Sequence, residues 1–292
     1  MTRTASALGA LALAAVLALT ATGCGPAQRR GQDPVTGTQR HFVSVGGESR
    51  SYLLYRPAGL VGPAPLVVML HGGFGSGEQA QRAYGWDRAA DIGHFVVAYP
   101  DGRNRAWNTG GGCCGEPART GVDDVAFVTA MVADIESRVR VDPRRRYVTG
   151  ISNGGMLAYT LACRTDLFAA IGPDAATRIG PCDSPSPLSV IHLHGTADER
   201  IRFDGEPGTG VAAVDGPPVP DVIADWRAVN GCAPASSTTD AAVTTDTATC
   251  PAGREVRLVT IDGGGHEWAG ASDALNATDV IWEFFSAHPD PA

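Results

Sequence analysis

Ser152 stands in a setting that can make a serine hydroxyl nucleophilic. It is the central residue of the run Gly150-Ile151-Ser152-Asn153-Gly154, which follows the β-forming residues 147–149 and opens a predicted helix. A serine in a sharp turn between a strand and a helix needs small neighbours two positions away, and Gly150 and Gly154 meet that need. Such a turn raises the hydroxyl above the sheet and aims the amino end of the helix at developing negative charge. The pattern predicts a nucleophilic serine at position 152.

Two later segments offer the groups that a nucleophilic serine needs. A serine hydroxyl attacks a carbonyl only when a base takes its proton, and an acid must orient that base. Asp198 ends the run 194–198, and His266 follows the three glycines 263–265. Each segment comes directly after a short apolar run, so both side chains are expected in loops after later strands. We therefore predict Ser152 as nucleophile, Asp198 as acid and His266 as base, with Asp174 left open as an alternative acid.

Charge that develops on a carbonyl oxygen needs preorganised N–H donors. One is expected to be the backbone N–H of Asn153. The other is expected from the loop 71–75, most simply from Gly73 or Phe74. This loop also resembles a phosphate-binding loop, but such a loop needs a lysine, and all 23 basic residues of the chain are arginine.

Strand and helix patterns alternate along the chain in the order that would position these groups. An antiparallel hairpin is predicted at 41–45 and 50–56, around the Gly46-Gly47 turn. Short apolar runs typical of buried parallel strands follow at 66–70, 95–99, 147–151, 169–172, 190–193 and 256–261. Helical spacing is found at 79–91, 123–139, 153–163, 220–230 and 277–287. The fold class is α/β, with a mostly parallel eight-stranded sheet flanked by helices.

The connection between the sixth and seventh predicted strands, 173–189, is short. It leaves no room for a large lid domain, so an open site is expected. A length of 292 residues with 43% hydrophobic residues fits one globular domain.

Composition and spacing argue against several kinds of partner. A net charge of −8 disfavours nucleic acid, and the basic run 144–146 is interpreted as a solvated connection. Neither the cysteines nor the histidines show the spacing of zinc ligands, so no metal and no cofactor are expected. A monomer is expected.

The amino terminus reads as an export signal. Arg3 precedes the uncharged, apolar stretch 5–19 and small residues before Cys24. Residues 21–24 resemble a lipobox, although the usual leucine is replaced by Ala21. We predict a signal peptide at 1–23, a tether at 24–38 and a catalytic domain at 39–290. The protein would be a lipoprotein on the outer face of the cell membrane, anchored through Cys24, or freely extracellular.

Seven cysteines leave one unpaired, and lipidation of Cys24 would account for it. The other six could form three bridges outside the cytoplasm. Cys232 and Cys250 flank a Thr/Ala-rich loop and are predicted to pair, which would stabilise the fold by roughly 3 kcal/mol. The remaining four allow three pairings, among which we favour a vicinal Cys113–Cys114 bridge and Cys163–Cys182.

Taken in order, eight short motifs are similar to those of a known family. They are H-G-G-F-G-S-G at His71, D-G-R at Asp101, W-N at Trp107, C-C-G at Cys113, V-D-D-V at Val122, G-I-S-N-G-G-M at Gly150, H-G-T-A-D at His194 and G-G-G-H-E-W at Gly263. The chain resembles the polyhydroxybutyrate depolymerase and feruloyl esterase-like family of α/β-hydrolases, including its actinobacterial lipoprotein members. The resemblance implies an extracellular, cofactor-free hydrolase of carboxylic esters whose triad is Ser152, Asp198 and His266.

The same resemblance places Trp107 and Trp268 near the cleft, and His71 with them as a substrate contact. Ala269, where the family often has proline, and residues 172–175 depart from the family pattern, so the substrate stays open. Hydroxybutyrate polyesters and feruloyl or acetyl esters are the candidates. Two alternatives are a cell-envelope acyltransferase with the same triad and a non-catalytic, envelope-binding lipoprotein.

Overall fold

The computed structural model describes residues 1–2, 35–210, 214–270 and 273–291. The chain divides into two units, 1–33 and 34–292, and the fold described below is that of the second unit. The predicted signal peptide and Cys24 fall almost wholly outside the described residues. Among the described helices, none is both long and apolar enough to cross a membrane.

One twisted sheet of ten strands forms the centre of the second unit, in the order β1-β2-β4-β3-β5-β6-β7-β10-β9-β8. The block from β4 to β10 in this order is parallel, whereas the pairs at both edges are antiparallel. The strands are Gly37–Val45 (β1), Glu48–Arg56 (β2), Ala64–Leu70 (β3), Val96–Pro100 (β4), Val141–Ile151 (β5), Ala170–Asp174 (β6), Ser189–Gly195 (β7), Ser236–Asp240 (β8), Val243–Thr249 (β9) and Glu255–Ile261 (β10).

The prediction of eight strands is wrong, because the sheet has two more strands, which form a hairpin. The Thr/Ala-rich segment between Cys232 and Cys250 forms β8 and β9, which extend the sheet beyond β10. Every side chain of β8 is exposed, so the hairpin carries no apolar alternation from which a strand could be predicted. Pairing with the edge of β10 stabilises it, together with the Cys232–Cys250 bridge at its base. The predicted tether also ends early, because Gly37 and Thr38 already pair with β2.

Helices cover both faces of the sheet and enclose two hydrophobic cores. One core lies under α4, α5 and α6, and the other lies under α1, α2 and α7. The helices are Gly77–Ala83 (α1), Trp86–Gly93 (α2), Gly115–Thr120 (α3), Asp124–Arg138 (α4), Asn153–Arg164 (α5), Val219–Asn230 (α6) and Ala277–Ala287 (α7), with short 3-10 turns at Arg103–Arg105 and Pro251–Gly253. The helix predicted at 79–91 is in fact two, because Gly85 adopts a left-handed φ of 73° between them.

The connections at the carboxyl edge of the sheet are unequal in length. The one from β6 to β7 is short, as predicted, and holds no lid domain among its residues 175–188. The longer one runs from β7 to α6, and its described residues supply one wall of the cavity discussed below.

Three disulfides join the cysteine pairs that the sequence favoured. Cys163–Cys182 ties the end of α5 to the connection between β6 and β7, and Cys232–Cys250 closes the edge hairpin. The vicinal Cys113–Cys114 bridge lies beside Met156, with Cys114 at the wall of the cavity.

Candidate active site

Ser152 lies in the turn between β5 and α5, with a left-handed φ of 56° and a ψ of −124°. This strained backbone is possible because the surrounding residues have no side chains in the way. A Cβ on Gly150 would come within 2.7 Å of the Gly154 carbonyl carbon, and one on Gly154 would collide with the carbonyl oxygens of Leu70 and His71. The sequence pattern thus corresponds to an actual steric need at these two glycines.

Asp198 and His266 meet across two loops, although 68 residues separate them in the chain. The Nδ1 of His266 lies 2.7 Å from Oδ2 of Asp198. A carboxylate only accepts, so Nδ1 carries the proton and Nε2 is left as the acceptor. The ring therefore presents a basic nitrogen to the cavity that it lines.

The charge of Asp198 is stabilised by several donors. Its Oδ1 accepts the N–H groups of Arg200 at 2.8 Å and Ile201 at 3.0 Å. Burial by itself raises the pKa of Asp198, but the bonds from His266 and from these N–H groups outweigh it and lower the pKa below its usual value. Asp198 is consequently ionised at neutral pH.

Ser152 and His266 line the same cavity, which holds about 440 Å³. Among the described residues, no hydrogen bond joins the Ser152 hydroxyl to the His266 ring. Catalytic hydrogen bonds of this kind are often long in unliganded proteins and shorten when substrate is bound. The arrangement can support proton transfer from serine to imidazole once the two side chains come within hydrogen-bond distance.

The three glycines before His266 have different functions in the fold. Gly263 has a φ of 70°, which favours glycine. A Cβ on Gly264 would lie 3.1 Å from the Cα of Gly195, so this position is crowded. Gly265 is open, since its Cβ would meet only Glu267 at 3.9 Å.

The Asn153 side chain makes two hydrogen bonds to the backbone of the neighbouring loop. Its Oδ1 accepts the N–H of Trp107 at 2.7 Å, and its Nδ2 donates to the Trp107 carbonyl at 3.0 Å. These two bonds fix Asn153 at the amino end of α5. No acceptor binds the backbone N–H of Asn153 or of Gly73 among the described residues, and both residues line the cavity.

The prediction that the Phe74 N–H is an oxyanion donor is wrong. Its N–H donates to the Arg105 carbonyl at 2.7 Å, so it is not free for a substrate oxygen. The guanidinium of Arg105 in turn donates to the Phe74 carbonyl. The Phe74 side chain is 66% exposed and forms part of the cavity wall instead.

Two of the three predicted substrate contacts lie below the cavity. Trp107 is fully buried, and its Nε1 donates to the His71 carbonyl at 2.8 Å. His71 is buried as well, with Nε2 accepting the Gly102 N–H and Nδ1 donating to the Gly72 carbonyl. Burial lowers the pKa of His71. Both residues support the loops of the site from beneath, because their rings pack together at 4.7 Å and are closed off from solvent.

Trp268 lies one layer behind the cavity. Its ring is 5.1 Å from that of Tyr84, and its Nε1 donates to Thr278. Tyr84 lines the cavity together with Phe74, and sequence reasoning missed Tyr84. Other lining residues that sequence reasoning did not single out are Met156 of α5 and the loop residues Arg105, Arg200, Ile201 and Val214.

Asp174 ends β6 and is as buried as Asp198. Its carbonyl accepts the N–H of Ser152, but its Oδ2 has no hydrogen-bond partner within the described chain. Burial, reinforced by the charges of Asp198 and Glu267, raises the pKa of Asp174 well above its usual value. Burial thus disfavours the ionised form of Asp174, and the His266 ring is bonded to Asp198 instead.

A metal centre is not formed by the described residues, in which no three histidine, cysteine, aspartate or glutamate side chains cluster suitably. The polar groups at the cavity are instead those of acyl transfer: a hydroxyl, an imidazole bonded to a carboxylate, and free N–H donors.

The chain is similar to known esterases in sequence and in fold. Residues 50–238 match the family described as Esterase PHB depolymerase. The chain is 32% identical over 278 residues to the "Putative esterase NocK" of Nocardia uniformis subsp. tsuyamanensis, covering 85% of this chain and 78% of that protein. It is 31% identical over 255 residues to feruloyl esterase C of Emericella nidulans, covering 82% and 84%.

Among solved structures, the acetyl xylan esterase from Aspergillus awamori has the same fold. It aligns with a TM-score of 0.64 at 16% identity, covering 85% of this chain and 99% of that one. The chain thus belongs to the esterase PHB depolymerase family of α/β-hydrolases and is a carboxylic ester hydrolase.

Proposed function

We propose that the protein hydrolyses its ester substrate through an acyl-enzyme formed on Ser152, with His266 as general base and Asp198 as the acid that orients it. The observation that carries this proposal is the 2.7 Å bond between His266 and Asp198 beside a cavity that Ser152 also lines. A hydroxyl, an oriented imidazole and a buried carboxylate are the groups that acyl transfer requires.

In the first half of the reaction, the Ser152 Oγ attacks the ester carbonyl carbon and its proton passes to Nε2 of His266. The resulting oxyanion accepts the N–H groups of Gly73 and Asn153, each worth about 3 kcal/mol in a typical oxyanion hole. The tetrahedral intermediate collapses, and the alcohol leaves with the proton from His266.

In the second half, water attacks the acyl-enzyme while His266 Nε2 takes its proton. The second tetrahedral intermediate releases the carboxylic acid and returns the proton to Ser152. Asp198 keeps its negative charge throughout and stabilises the imidazolium that forms in each half-reaction.

The cavity favours an ester with a bulky acyl group. Its volume of about 440 Å³ greatly exceeds what an acetyl group would fill, and its walls carry Phe74, Tyr84, Met156 and Ile201. We propose hydroxybutyrate-type polyesters or feruloyl esters as substrates ahead of acetyl esters. A panel of p-nitrophenyl acetate, p-nitrophenyl butyrate, a feruloyl ester and a polyhydroxybutyrate film, assayed on one preparation, would rank them.

We also propose that the protein is exported, with residues 1–23 as signal peptide and Cys24 as the lipid attachment site. The three disulfides support a location outside the reducing cytoplasm. Mass spectrometry of the mature amino terminus, with and without Cys24→Ser, would test it. A mature chain that still begins at Met1 would contradict export by this signal.

Ser152→Ala tests the chemical proposal. We expect kcat to fall by about 10⁴-fold or more, because no other group can form the acyl-enzyme. A fluorophosphonate probe should label the wild type and not the variant, and circular dichroism should show an unchanged fold. Ser184→Ala, which removes an exposed hydroxyl far along the chain, is the matched control and should keep full activity. Near-full activity of Ser152→Ala would end the proposal.

A further inference from the structure

A chain of three buried polar side chains runs beneath the loop that carries Asp198. Tyr159 of α5 and His192 and His194 of β7 are all inaccessible to solvent. The Tyr159 hydroxyl lies 2.8 Å from Nδ1 of His192, and Nε2 of His192 lies 3.0 Å from Nδ1 of His194. Nε2 of His194 then lies 2.8 Å from the carbonyl oxygen of Ile201.

The donor and acceptor in each of these hydrogen bonds follow from the last acceptor in the row, the carbonyl oxygen of Ile201. The Ile201 carbonyl can only accept, so His194 Nε2 carries a proton. Burial lowers the pKa of His194, and burial together with the neighbouring His194 lowers the pKa of His192 well below its usual value. Both rings are therefore neutral, each with one donor and one acceptor nitrogen. His192 Nε2 must donate to His194, and the Tyr159 hydroxyl must donate to His192.

The end of this chain holds the residues that bind Asp198. Ile201 accepts from His194 through its carbonyl and donates its own N–H to Oδ1 of Asp198 at 3.0 Å. The Nε2 of His194 also lies 3.6 Å from Oδ2 of Asp198, the oxygen that binds His266. The His194 ring of β7 thus fixes the turn 198–201 through its hydrogen bond to Ile201.

We propose that His194, supported by His192 and Tyr159, is a positioning residue that orients Asp198 toward His266. The inference rests on the proposed roles of Asp198 and His266. Three polar side chains are buried at a place where apolar ones would avoid the cost of desolvation. Each of their side-chain nitrogens and oxygens takes part in a hydrogen bond, and all these bonds point from Tyr159 toward Ile201. Ordinary core packing would not require that arrangement.

His194→Gln and His194→Leu separate positioning from packing. Glutamine offers one acceptor and one donor, whereas leucine has a comparable size and offers neither. In His194→Leu we expect kcat to fall on the order of 100-fold with KM changed less than about 2-fold, because a small misplacement of a catalytic group has an effect of that size. In His194→Gln we expect kcat within about 5-fold of the wild type.

A double-mutant cycle with Asp198→Asn gives the decisive readout. If His194 acts through Asp198, adding His194→Leu to Asp198→Asn should lower kcat by less than about 3-fold further. If Asp198→Asn alone keeps full activity, the proposed triad fails, and that result differs from failure of the positioning role. Additive losses in the cycle, equal losses in the Gln and Leu variants, or full kcat in a folded His194→Leu would each overturn the inference.

Tyr159→Phe covers the case in which His194→Leu does not fold. It removes only the first hydroxyl of the chain, so we expect a fall in kcat of about 3-fold that disappears in the Asp198→Asn background. Tyr147→Phe is its control, since Tyr147 belongs to the core on the other face of the sheet. No change in Tyr159→Phe, or an equal change in both phenylalanine variants, would contradict the inference.

Discussion

Asp174 and Asp198 lie at the carboxyl ends of neighbouring parallel strands, yet their surroundings shift their pKa values in opposite directions. Asp174 closes β6 and Asp198 follows β7, and each is only 3% exposed. Burial raises the pKa of both, but the pKa of Asp198 ends below its usual value and that of Asp174 well above it. The same sheet edge therefore favours the charged form of one carboxyl group and disfavours that of the other.

The two pKa values differ because of hydrogen-bond donors and not because of the depth of burial. Asp198 accepts from His266, Arg200 and Ile201, all of which belong to loops that converge after β7 and β10. The Oδ2 of Asp174 has no partner in the described chain, and the negative charge of Asp198 is close by. A buried carboxylate can orient a histidine only where the surrounding loops supply N–H groups to it.

Exchanging each carboxyl group for an amide tests this comparison most directly. Asp198→Asn should lower kcat by about 10⁴-fold, because an amide no longer fixes the correct tautomer of His266 or stabilises its cation. Asp174→Asn should change kcat by less than about 3-fold, since a neutral group replaces a neutral group. Steady-state kinetics with p-nitrophenyl butyrate measures both. A larger loss in Asp174→Asn than in Asp198→Asn would reverse the assignment of the acid.

Gly195 and Gly265 test whether the packing of the histidine loop keeps His266 at Asp198. A Cβ on Gly195 would collide with the carbonyl oxygen of Gly264, whereas one on Gly265 would meet open space. Gly195→Ala should therefore displace the histidine loop from Asp198 and lower kcat on the order of 100-fold. Gly265→Ala is the matched control and should keep kcat within about 3-fold. Equal kinetics in the two variants would show that the crowding at Gly195 does not position His266.

The smallest expected effect is on the free energy of unfolding, through the raised pKa of Asp174. Its pKa is raised in the folded state, so below about pH 4 the carboxyl is protonated in both the folded and the unfolded chain. Above that pH the unfolded chain ionises and the folded one does not, so the free energy of unfolding falls as pH rises toward the folded pKa. Asp174→Asn removes this loss. We expect its Tm to exceed that of the wild type by about 2 °C or more at pH 7.

Thermal unfolding of Asp174→Asn across pH 3 to 8 measures that difference. The gap in Tm should close as pH falls to about 4, where the wild-type carboxyl no longer ionises in either state. A gap that stays constant over this range would show that the substitution acts through packing and not through ionisation.

The main residues of the candidate site could be proposed from the sequence because their surroundings depend on local chemistry. The glycines around Ser152, the order of Ser152, Asp198 and His266 and the buried parallel strands all leave patterns over a few residues. The hairpin of β8 and β9 left none, because its side chains are exposed and its stability comes from pairing with β10. The split between α1 and α2 depends on one left-handed glycine, which the apolar spacing conceals.

Contacts between distant segments decided the roles that sequence reasoning assigned wrongly. Phe74 N–H is bonded to Arg105, 31 residues later in the chain, so Gly73 alone of the two candidates has a free N–H. Trp107 and His71 lie under the site, and Tyr84 lines the cavity in their place. Which side of a loop faces the cavity is set by packing against other loops, and no local pattern records it.

The amino-acid sequence was enough to assign this chain to the α/β-hydrolases, because elbow turns and buried strands require particular residues. It also carries a serine, a carboxylate and a histidine in the chain order suited to acyl transfer. Which of two buried aspartates has hydrogen-bond donors around it, and which backbone N–H groups are free, is seen only in the folded chain. Ionisation and hydrogen bonding depend on what surrounds a group in space, and here those surroundings come from segments far apart in the chain.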